Sequence, residues 1–380
     1  MDLQDYRKTI DEIDSRLIRL ITERMDVVSS IAEYKKKNSL PVLDSGREKE
    51  KLLSVLEATP DDLKEYTPLF FSLLFELSRS YQNRRNGNMS PLAEEIKRAV
   101  NNTPQLFPSN VSVACQGVLG ANSQIACDKL FRYPKTMFFS SFEAVFSAVD
   151  KGLCDYGVIP VENSSAGSVN SVYDLMMKHH FYIVRSIRLK VDHNLMAKPG
   201  VRLEDIRTVY SHEQALHQCS AFLSTLENVR LIPCENTAAA AKKVSESSLD
   251  DVAALASEPC AEYYGLNCLA SSVQNTDNNY TRFICISKKL EIYPGADRTS
   301  LMMILPHTQG SLYKTLSRFY ALGINLNKLE SRPLPNKEFE FMFYFDLDTP
   351  VYSPALLQLM GELPTICDKH QYLGSYSEVF

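Results

Sequence analysis

The chain has 380 residues, enough for two or three domains that each bury a hydrophobic core. Its net charge of −5 argues against a protein that binds nucleic acid by neutralising phosphates. No apolar stretch reaches the length of a membrane span, and the N-terminal residues lack the apolar region of a signal peptide, so we expect a cytoplasmic protein without membrane association.

The spacing of the cysteines and the absence of common cofactor motifs narrow the class of protein further. All nine cysteines lie after residue 114, with no CxxC pair and no zinc spacing, which is typical of reduced thiols. The patterns HExxH, GxGxxG and GxxxxGK(S/T) do not occur in the sequence. Their absence argues against metalloprotease, dinucleotide and P-loop chemistry.

The first 86 residues contain one glycine, and their pattern predicts only helices. From about Leu3 to Lys37 there is no glycine or proline, and apolar residues recur at helical spacing. A helix of this length far exceeds the usual length of about 11–12 residues and needs a partner surface, so we expect an intertwined helical dimer. Further helices are predicted to begin at Ser45 and Thr67, the last ending near Gly87, and Ser45 and Glu48 have the spacing of a capping box.

Three basic side chains of the first helix point to an anion site. Arg24 and Lys35 fall on the apolar stripe, where a charge is costly unless an anion meets it. They face the same way about 16 Å apart, so together they could clasp a small dianion. Arg7 lies about 25 Å from Arg24 and is rotated by about 100°, so we expect it to serve a second site, such as one shared with a partner copy.

Polar residues of the second and third helices complete this candidate site. Asp44, Arg47 and Glu48 lie at the start of the second helix, and Ser78 and Gln82 share one face of the third. The resulting pocket is mostly cationic and has no evident nucleophile or metal site. Such a pocket suits a reaction that needs charge stabilisation and substrate folding.

This set of residues resembles the active site of the all-helical chorismate mutases. The resemblance implies a three-helix domain over residues 1–88 that rearranges chorismate to prephenate. It also implies that Arg24 and the partner subunit's Arg7 hold the two carboxylates, while Lys35 and Gln82 contact the ether oxygen. The supporting chorismate contacts would be Glu48, on the ring hydroxyl, with Asp44, Arg47 and Ser78.

Residues 89–109 are predicted to be a polar linker with room for a short helix. From residue 110 to residue 290, β-branched runs alternate with helical patterns, which predicts an α/β domain with largely parallel strands. Polar side chains cluster after the strand ends, where such sheets place ligands. The strands are predicted at Val111–Gln116, Tyr156–Val161, Thr208–Tyr210, Arg230–Cys234, Val252–Ala256 and Phe283–Ser287.

The polar loops after these strands carry the second set of candidate residues. Asn163 and Ser164 lie in a loop that leads to a helix predicted near Ser168, whose backbone N–H groups could hold a carboxylate. Gln218 and Glu235 follow two later strands, and Thr281 opens another.

In this order the loops resemble the prephenate dehydratases over residues 111–288. The resemblance implies a two-lobed fold like that of periplasmic binding proteins, and the conversion of prephenate to phenylpyruvate with loss of CO₂ and water. Thr281 would be the acid that protonates the departing hydroxyl, by positioning worth about 10²–10⁴-fold. The prephenate contacts would be Asn163, Ser164, Gln218, Glu235 and Arg282, with Glu162 in support and Phe283 packing.

Two positions depart from the pattern of the family. Many members carry Tyr where Cys115 and Asn122 stand, and Asn122 could alter a substrate contact. His212 ends a strand and resembles a catalytic base, but we interpret it as a structural residue of its turn and assign it no catalytic role.

Residues 298–380 are predicted in the order strand, helix, strand, strand, helix, strand, which is the ferredoxin-like pattern. Its motifs resemble the regulatory ACT domains, which implies pairing of these domains and feedback inhibition by bound phenylalanine. The phenylalanine contacts would be Gly310, Ser311, Leu312, Asn325, Glu330, Ser331 and Arg332.

The three resemblances together predict a bifunctional enzyme that makes phenylpyruvate from chorismate, with no metal or organic cofactor. We expect a homodimer or a dimer of dimers that binds chorismate, prephenate and phenylalanine. One alternative keeps the fold but loses one activity, for example through Asn122. Another makes the α/β domain a non-catalytic sensor of a small molecule.

Overall fold

The computed structural model describes residues 2–86, 90–334 and 340–380. Within these ranges, no helix is long and apolar enough to cross a membrane. The chain forms two compact units. The first comprises Met1–Lys97, Met303–Leu329 and Pro333–Gln371, and the second comprises Arg98–Met302, Glu330–Arg332 and Tyr372–Phe380.

The N-terminal residues form helices, as their composition predicts. The predicted bounds of the first helix are confirmed, whereas Gly87 and the proposed boundary between residues 88 and 89 lie outside the described residues. The predicted linker contains a regular helix of its own. The helices are α1 (Leu3–Lys37), α2 (Ser45–Ala58), α3 (Thr67–Asn86) and α4 (Pro91–Asn102).

The predicted cap of α2 is wrong. Asp44, not Ser45, is the N-cap residue, because its carboxylate accepts a hydrogen bond of 3.0 Å from the backbone N–H of Arg47. A carboxylate at this position satisfies an otherwise unpaired donor and also interacts favourably with the helix dipole. The cap therefore uses a residue that the resemblance assigned to substrate binding.

The α/β part contains two sheets, in agreement with the two lobes expected. The first sheet has the strand order β16-β5-β11-β3-β1-β2 with β4 beside β3, and the second has the order β10-β6-β9-β7-β8. Their strands are β1 (Ser112–Gln116), β2 (Lys135–Phe139), β3 (Tyr156–Asn163), β4 (Gly167–Ser168), β5 (Tyr182–Lys190), β6 (Asn194–Ala197), β7 (Thr208–His212), β8 (Arg230–Cys234), β9 (Val252–Ala256), β10 (Asn267–Ala270), β11 (Tyr280–Ser287) and β16 (Glu378–Val379). The helices are α5 (Asn122–Leu130), α6 (Phe142–Asp150), α7 (Asn170–Met176), α8 (Glu213–Gln218), α9 (Ser220–Leu223), α10 (Thr237–Glu246) and α11 (Pro259–Tyr264).

All six predicted strands are present, but the expectation of largely parallel pairing is only partly correct. β1 pairs in parallel with β2 and β3, and β7 pairs in parallel with β8 and β9. β11 instead runs antiparallel between β3 and β5, and it enters the first sheet after the chain has built the second. This return places the start of β11 beside the end of β3.

The C-terminal residues follow the predicted order of strands and helices. Their four-stranded sheet has the order β13-β14-β12-β15. The elements are β12 (Arg298–Ile304), α12 (Ser311–Ala321), β13 (Asn325–Pro333), β14 (Phe341–Asp348), α13 (Pro354–Ile366) and β15 (Lys369–Tyr376). The short strand β16, which the sequence did not predict, follows β15 in the chain and pairs in parallel with β5 of the first sheet.

Candidate active sites

Arg24 of α1 meets α3 at Ser78. The guanidinium donates a hydrogen bond of 2.5 Å to the Ser78 hydroxyl, which itself donates to the Leu74 carbonyl at 2.5 Å. The same guanidinium lies 6.0 Å from the centre of the Phe75 ring. Burial lowers the pKa of Arg24, since desolvation disfavours a charge. Arg24 is therefore held in place by α3 with its charge partly removed from water.

Gln82 lies one turn beyond Ser78 on α3, and both side chains are buried. The Gln82 amide oxygen is enclosed and finds no hydrogen-bond partner among the described residues. A buried polar atom without a partner is costly, so it marks a position where a ligand group can bind. Lys35 is half-buried, and its ammonium donates to the Val42 carbonyl at 2.6 Å.

The remaining candidate residues of the helical part have varied surroundings. The Glu48 carboxylate accepts a hydrogen bond from Arg79, a residue that sequence reasoning missed although it is a cation within an apolar helix. Arg47 is exposed and pairs with Glu50 at 2.7 Å. Arg7 is also exposed, on the first turns of α1. The single chain thus joins Arg24 directly to Ser78 but leaves Arg7 and Arg47 at its surface.

The α/β part contains a cleft of about 310 Å³ between its two sheets. Four of the predicted prephenate contacts, Asn163, Gln218, Glu235 and Phe283, line this cleft together with Thr281. The cleft thus lies where several strands end, as expected for sheets of this kind. Its other lining residues are Gln116, Ala121, Asn122, Ser123, Phe142, Pro160, Val191, His193, His212, Gln214, Ala215, Asn236 and Thr237.

A β-bulge shapes the wall of the cleft at β3. Along β11, Arg282 pairs with Glu162 but the next residue, Phe283, pairs with Pro160, so β3 has one extra residue there. In a regular strand, Pro160 and Asn163 would point to opposite faces. The bulge lets both line the cleft, and bulges beside active sites commonly redirect side chains in this way.

The hydroxyl of Thr281 is fixed by Asn163. The Asn163 amide nitrogen donates to the Thr281 oxygen at 3.0 Å and is also 2.8 Å from the Asn279 side-chain oxygen. The Asn163 side-chain oxygen accepts from the backbone N–H groups of Ser165 and Ala166, at 3.1 and 2.9 Å. Because its oxygen already serves as an acceptor, the Asn163 amide presents a donor to Thr281.

The second lobe supplies three side chains to this network. Gln214 donates to the Asn163 side-chain oxygen at 3.2 Å. Gln218 donates to Ser165 at 2.6 Å, while its own oxygen lies 2.9 Å from the His193 ring. His193 is buried, and this burial lowers its pKa, so the neutral ring is favoured. His193 and Gln214 were not predicted, since nothing in their local sequence distinguishes them.

Three predicted prephenate contacts do not line the cleft. Glu162 and Arg282 are cross-strand partners 3.5 Å apart on the other face of the sheet. Strand alternation explains this: Thr281 and Phe283 face the cleft, so Arg282 between them faces away. Ser164 donates to the Asn278 carbonyl at 2.7 Å and accepts from the Tyr280 N–H at 2.9 Å, and it thereby ties the loop to β11.

The carboxylate site predicted at the start of a helix near Ser168 does not lie in the cleft. The chain forms β4 at Ser168 and α7 begins at Asn170, and neither residue lines the cleft. Two longer helices instead begin at the cleft: α5 with Asn122 and Ser123, and α10 after its cap Asn236. Helix N-termini attract anions through their free N–H groups and the helix dipole.

The positions that depart from the family pattern have different consequences. Cys115 is fully buried in the core of the first sheet and does not line the cleft, whereas Asn122 does. His212 caps α8, because its ring nitrogen accepts from the Gln214 N–H at 3.3 Å. The structural role expected for His212 is therefore confirmed.

The predicted effector residues form two groups. Gly310, Ser311 and Leu312 line a cavity of about 420 Å³, together with other residues of 305–313 and with Glu340, Phe341 and Phe343. Gly310 has φ +80° and immediately precedes α12, so the left-handed backbone there favours glycine. Asn325 is exposed at the start of β13.

The second group contacts residues of α7 and β4. Arg332 forms two parallel hydrogen bonds of 2.9 Å with the Asp174 carboxylate, and this partner raises the pKa of Arg332. Glu330 accepts a hydrogen bond from Ser168. Ser331, which lies between Glu330 and Arg332 in the chain, is exposed. Among the described residues, no cluster of three or more His, Cys, Asp or Glu side chains could hold a metal ion.

Known proteins resemble this chain over both of these regions. A family model described as chorismate mutase type II matches residues 6–83, and one described as prephenate dehydratase matches residues 113–291. Arogenate dehydratase/prephenate dehydratase 2 of Arabidopsis thaliana is 36% identical over 80% of this chain and 87% of its own length.

The matches also extend over nearly the whole chain and to solved structures. A prephenate dehydratase from Arthrobacter aurescens, solved in complex with L-Phe, is 28% identical, has a TM-score of 0.64, and is matched over 70% of this chain and 90% of that one. The bifunctional chorismate mutase/prephenate dehydratase of Buchnera aphidicola is 31% identical over 98% of this chain and 95% of its own length. The chain belongs to the family of bifunctional chorismate mutase/prephenate dehydratases.

Proposed function

We propose that the chain catalyses two consecutive reactions, from chorismate to prephenate and from prephenate to phenylpyruvate. The observation that carries the second reaction is the hydrogen bond from Asn163 to Thr281 at the cleft. Because the Thr281 oxygen accepts this bond, its own proton remains available to donate to a substrate. The ring hydroxyl of prephenate takes this proton and leaves as water, while the bond to the ring carboxylate breaks and supplies the electron pair that completes the aromatic ring.

The proton that Thr281 donates leaves a negative charge on its oxygen, and this charge gives Asn163 a role. Prephenate, as a dianion, takes up one proton and yields the phenylpyruvate anion, CO₂ and water. A threonine hydroxyl is a poor acid, so the negative charge that develops on its oxygen must be stabilised. The Asn163 N–H is positioned to do so before Thr281 recovers a proton from solvent, and such a donor is typically worth about 10²–10³-fold in rate.

Substrate binding in the cleft relies on dipoles more than on cations. The cleft-lining residues include no lysine or arginine, and the N-terminal ends of α5 and α10 are exposed to it. We assign the carboxylates of prephenate to these two helix ends. Gln218 and Glu235 then contact the remaining polar groups, and Phe283 packs against the ring.

The first reaction is assigned to the face of α1 and α3 that carries Arg24, Ser78 and Gln82. Arg24 would hold a carboxylate of chorismate, in a position supported by its hydrogen bond to Ser78. Gln82 and Lys35 would stabilise the charge that builds on the ether oxygen as the C–O bond breaks. Glu48, oriented by Arg79, would accept a hydrogen bond from the ring hydroxyl.

The mutase site would be completed by a second copy of the chain. Most of α1 is exposed, including Tyr6, Ile10, Leu17 and Leu20, which are 42–60% exposed in the single chain. An exposed apolar stripe of this length marks an interface. A paired copy would cover it and bring Arg7 of the partner subunit to the substrate.

The remaining residues are proposed to regulate the dehydratase. The βαββαβ order of residues 298–380 supports a ferredoxin-like ACT domain that binds L-phenylalanine at the cavity beside Gly310. We propose domain limits of 1–88, 110–290 and 298–380. The contact of Arg332 with Asp174 gives bound phenylalanine a route to the α7 region.

Each reaction can be tested separately. Purified protein supplied with prephenate should release phenylpyruvate, and protein supplied with chorismate should consume it faster than buffer alone. Turnover of only one substrate would restrict the proposal to that reaction. Turnover of neither, with tight binding of prephenate, would favour the sensor alternative.

A further inference from the structure

The face of β11 that points away from the cleft carries a buried cluster of charges. Glu378 of β16, with a side chain only 2% exposed, lies among three arginines. Its carboxylate oxygens are 2.9 Å from Arg282 Nε, 2.8 Å from Arg188 Nε and 3.0 Å from Arg298 Nη2. The two proposed reactions do not account for this cluster.

Glu378 lies between two arginines that would otherwise repel each other. Arg282 and Arg188 are directly opposite each other in the pairing of β11 with β5. Like charges in such a pair repel, and Arg282 is only 4% exposed, so water screens it little. Arg282 is nearest to Oε1 of Glu378 and Arg188 is nearest to Oε2, so the carboxylate bridges these two arginines. The hydroxyl of Tyr376, 3.0 Å from Arg282, and Glu162 complete the surroundings.

The strand that supplies Glu378 is closely docked. In the pairing of β16 with β5, Glu378 lies opposite Ser186. Upstream, Gly374 has φ +137°, and a Cβ atom at this position would come within 2.2 Å of the Ile183 carbonyl oxygen. The backbone here can approach β5 only because the residue is glycine.

Arg282 connects this cluster to the cleft, because it follows Thr281 directly in the chain. The β-bulge of β3 lies opposite Arg282 and Phe283, so the ladder is interrupted on that side of β11, while the register with β5 stays regular from Tyr280 to Cys285. On the side of the bulge, the Arg282 side chain held by Glu378 adds a constraint on the backbone that carries the Thr281 hydroxyl.

We propose that Glu378 is a positioning residue of the dehydratase site, which acts through Arg282 to hold Thr281 in place. This inference rests on the proposed dehydration at the cleft. It makes the site dependent on β16, a strand that follows the C-terminal βαββαβ elements in the chain.

The test compares Glu378→Gln with Asp150→Asn. Asp150 is a half-exposed carboxylate that pairs with Lys288, just beyond the opposite end of β11, and is the matched control. With prephenate as substrate, Glu378→Gln should lower kcat by about 10–100-fold, as expected for a displaced reacting group, with little change in KM. Chorismate consumption by the same preparation should match wild type, as should both activities of Asp150→Asn.

A second variant separates positioning from general stability. Removing the opposed cation in Arg188→Gln/Glu378→Gln relieves the repulsion on Arg282, so kcat should recover part of the loss. A merely structural role for Glu378 predicts no such rescue, since the double variant loses more contacts. A kcat for folded Glu378→Gln within about twofold of wild type would overturn the proposal, as would a change confined to KM.

The remaining outcomes are also decisive. If Glu378→Gln does not fold, Glu378→Asp replaces it as the test variant. The aspartate keeps the negative charge, but its shorter side chain weakens the contacts with Arg282 and Arg188. Its kcat should then fall severalfold, and a wild-type value would contradict the proposal. If wild-type protein itself fails to convert prephenate, the proposed function fails first, and the role of Glu378 fails with it.

Discussion

The side-chain nitrogen of Asn163 lies 3.0 Å from the hydroxyl oxygen of Thr281 and donates a hydrogen bond to it. The two residues are also cross-strand neighbours in the pairing of β3 with β11. This arrangement depends on the return of β11 to the first sheet and on the bulge in β3. In the proposed mechanism, this hydrogen bond leaves the proton of the Thr281 hydroxyl free to be donated toward the cleft.

Replacing the hydroxyl of Thr281 tests its role as the acid. Thr281→Val keeps the shape of the side chain and should lower the dehydratase kcat by about 10²–10⁴-fold, whereas Thr281→Ser should keep most of it. Steady-state rates with prephenate measure both. Thr208→Val, in β7 of the second sheet, is the control. Equal rates for Thr281→Val and wild type would rule out Thr281 as the acid.

The donor role of Asn163 predicts a distinct effect of Asn163→Asp. The carboxylate keeps the acceptor for the amides of Ser165 and Ala166 but offers Thr281 no proton, so kcat should fall by about 10²–10³-fold. Asn101→Asp, on the exposed face of α4, adds the same charge elsewhere and should be neutral. An unchanged kcat in Asn163→Asp would show that the hydrogen bond does not contribute to the reaction.

The mutase assignment predicts a selective defect in Arg24→Met. Loss of the guanidinium should reduce chorismate turnover by about 10²-fold or more, because a charge on the substrate loses its partner, and prephenate turnover should be unaffected. Arg19→Met, at an exposed position of the same helix, should keep both activities. A parallel fall of both activities in Arg24→Met would indicate a folding defect instead.

His193 predicts a specific dependence of stability on pH. Burial lowers its pKa below the ordinary value of 6.5, so below pH 6.5 the unfolded state binds more protons than the folded state. Its contribution to the free energy of unfolding is therefore complete above pH 6.5 and is lost as the pH falls toward the folded pKa. Thermal unfolding of His193→Gln at pH 7.5 and 5.5 should show a smaller drop in Tm than wild type, by about a few degrees.

The control for this experiment is His307→Gln, which replaces an exposed histidine. Its drop in Tm between the two pH values should equal that of wild type. An identical drop in all three proteins would contradict the assignment of pH sensitivity to His193.

The proposed regulation predicts that Arg332→Gln and Asp174→Asn have the same effect. Either change breaks the paired hydrogen bonds between these side chains, so phenylalanine should inhibit the dehydratase more weakly, by about tenfold for a coupling of 1–2 kcal/mol. The double variant should be no worse than either single variant, because the two residues act as one unit. Additive effects would show that they act separately.

Much of the fold could be predicted from the sequence because its patterns are local. The bounds of α1 follow from a long run without glycine or proline, and the strands from β-branched runs. Thr281 and Asn163 could also be identified, since the motifs that contain them lie at the ends of strands, Asn163 at the end of β3 and Thr281 near the start of β11. The N-cap of α2 was predicted wrongly because Asp44 and Ser45 are both favourable N-cap residues, and only the backbone geometry decides between them.

The remaining features depend on contacts that are distant in sequence. The direction of Arg282 follows from strand alternation once β11 is known to begin at Tyr280, three residues before the predicted start. The bulge at Pro160 to Glu162 has no sequence signal, because it arises only where β3 and β11 pair. Strand β16 has two residues and pairs with a strand some 190 positions earlier, so no local pattern reveals it.

The most direct test of the account is to add chorismate to the purified wild-type protein and follow chorismate, prephenate and phenylpyruvate over time, with Thr281→Val beside it and protein-free buffer as the blank. Wild type should consume chorismate and accumulate phenylpyruvate, with prephenate appearing only transiently. Thr281→Val should consume chorismate at the same rate and stop at prephenate. Phenylpyruvate formation by Thr281→Val at the wild-type rate, or no chorismate consumption above the blank by either protein, would contradict the account.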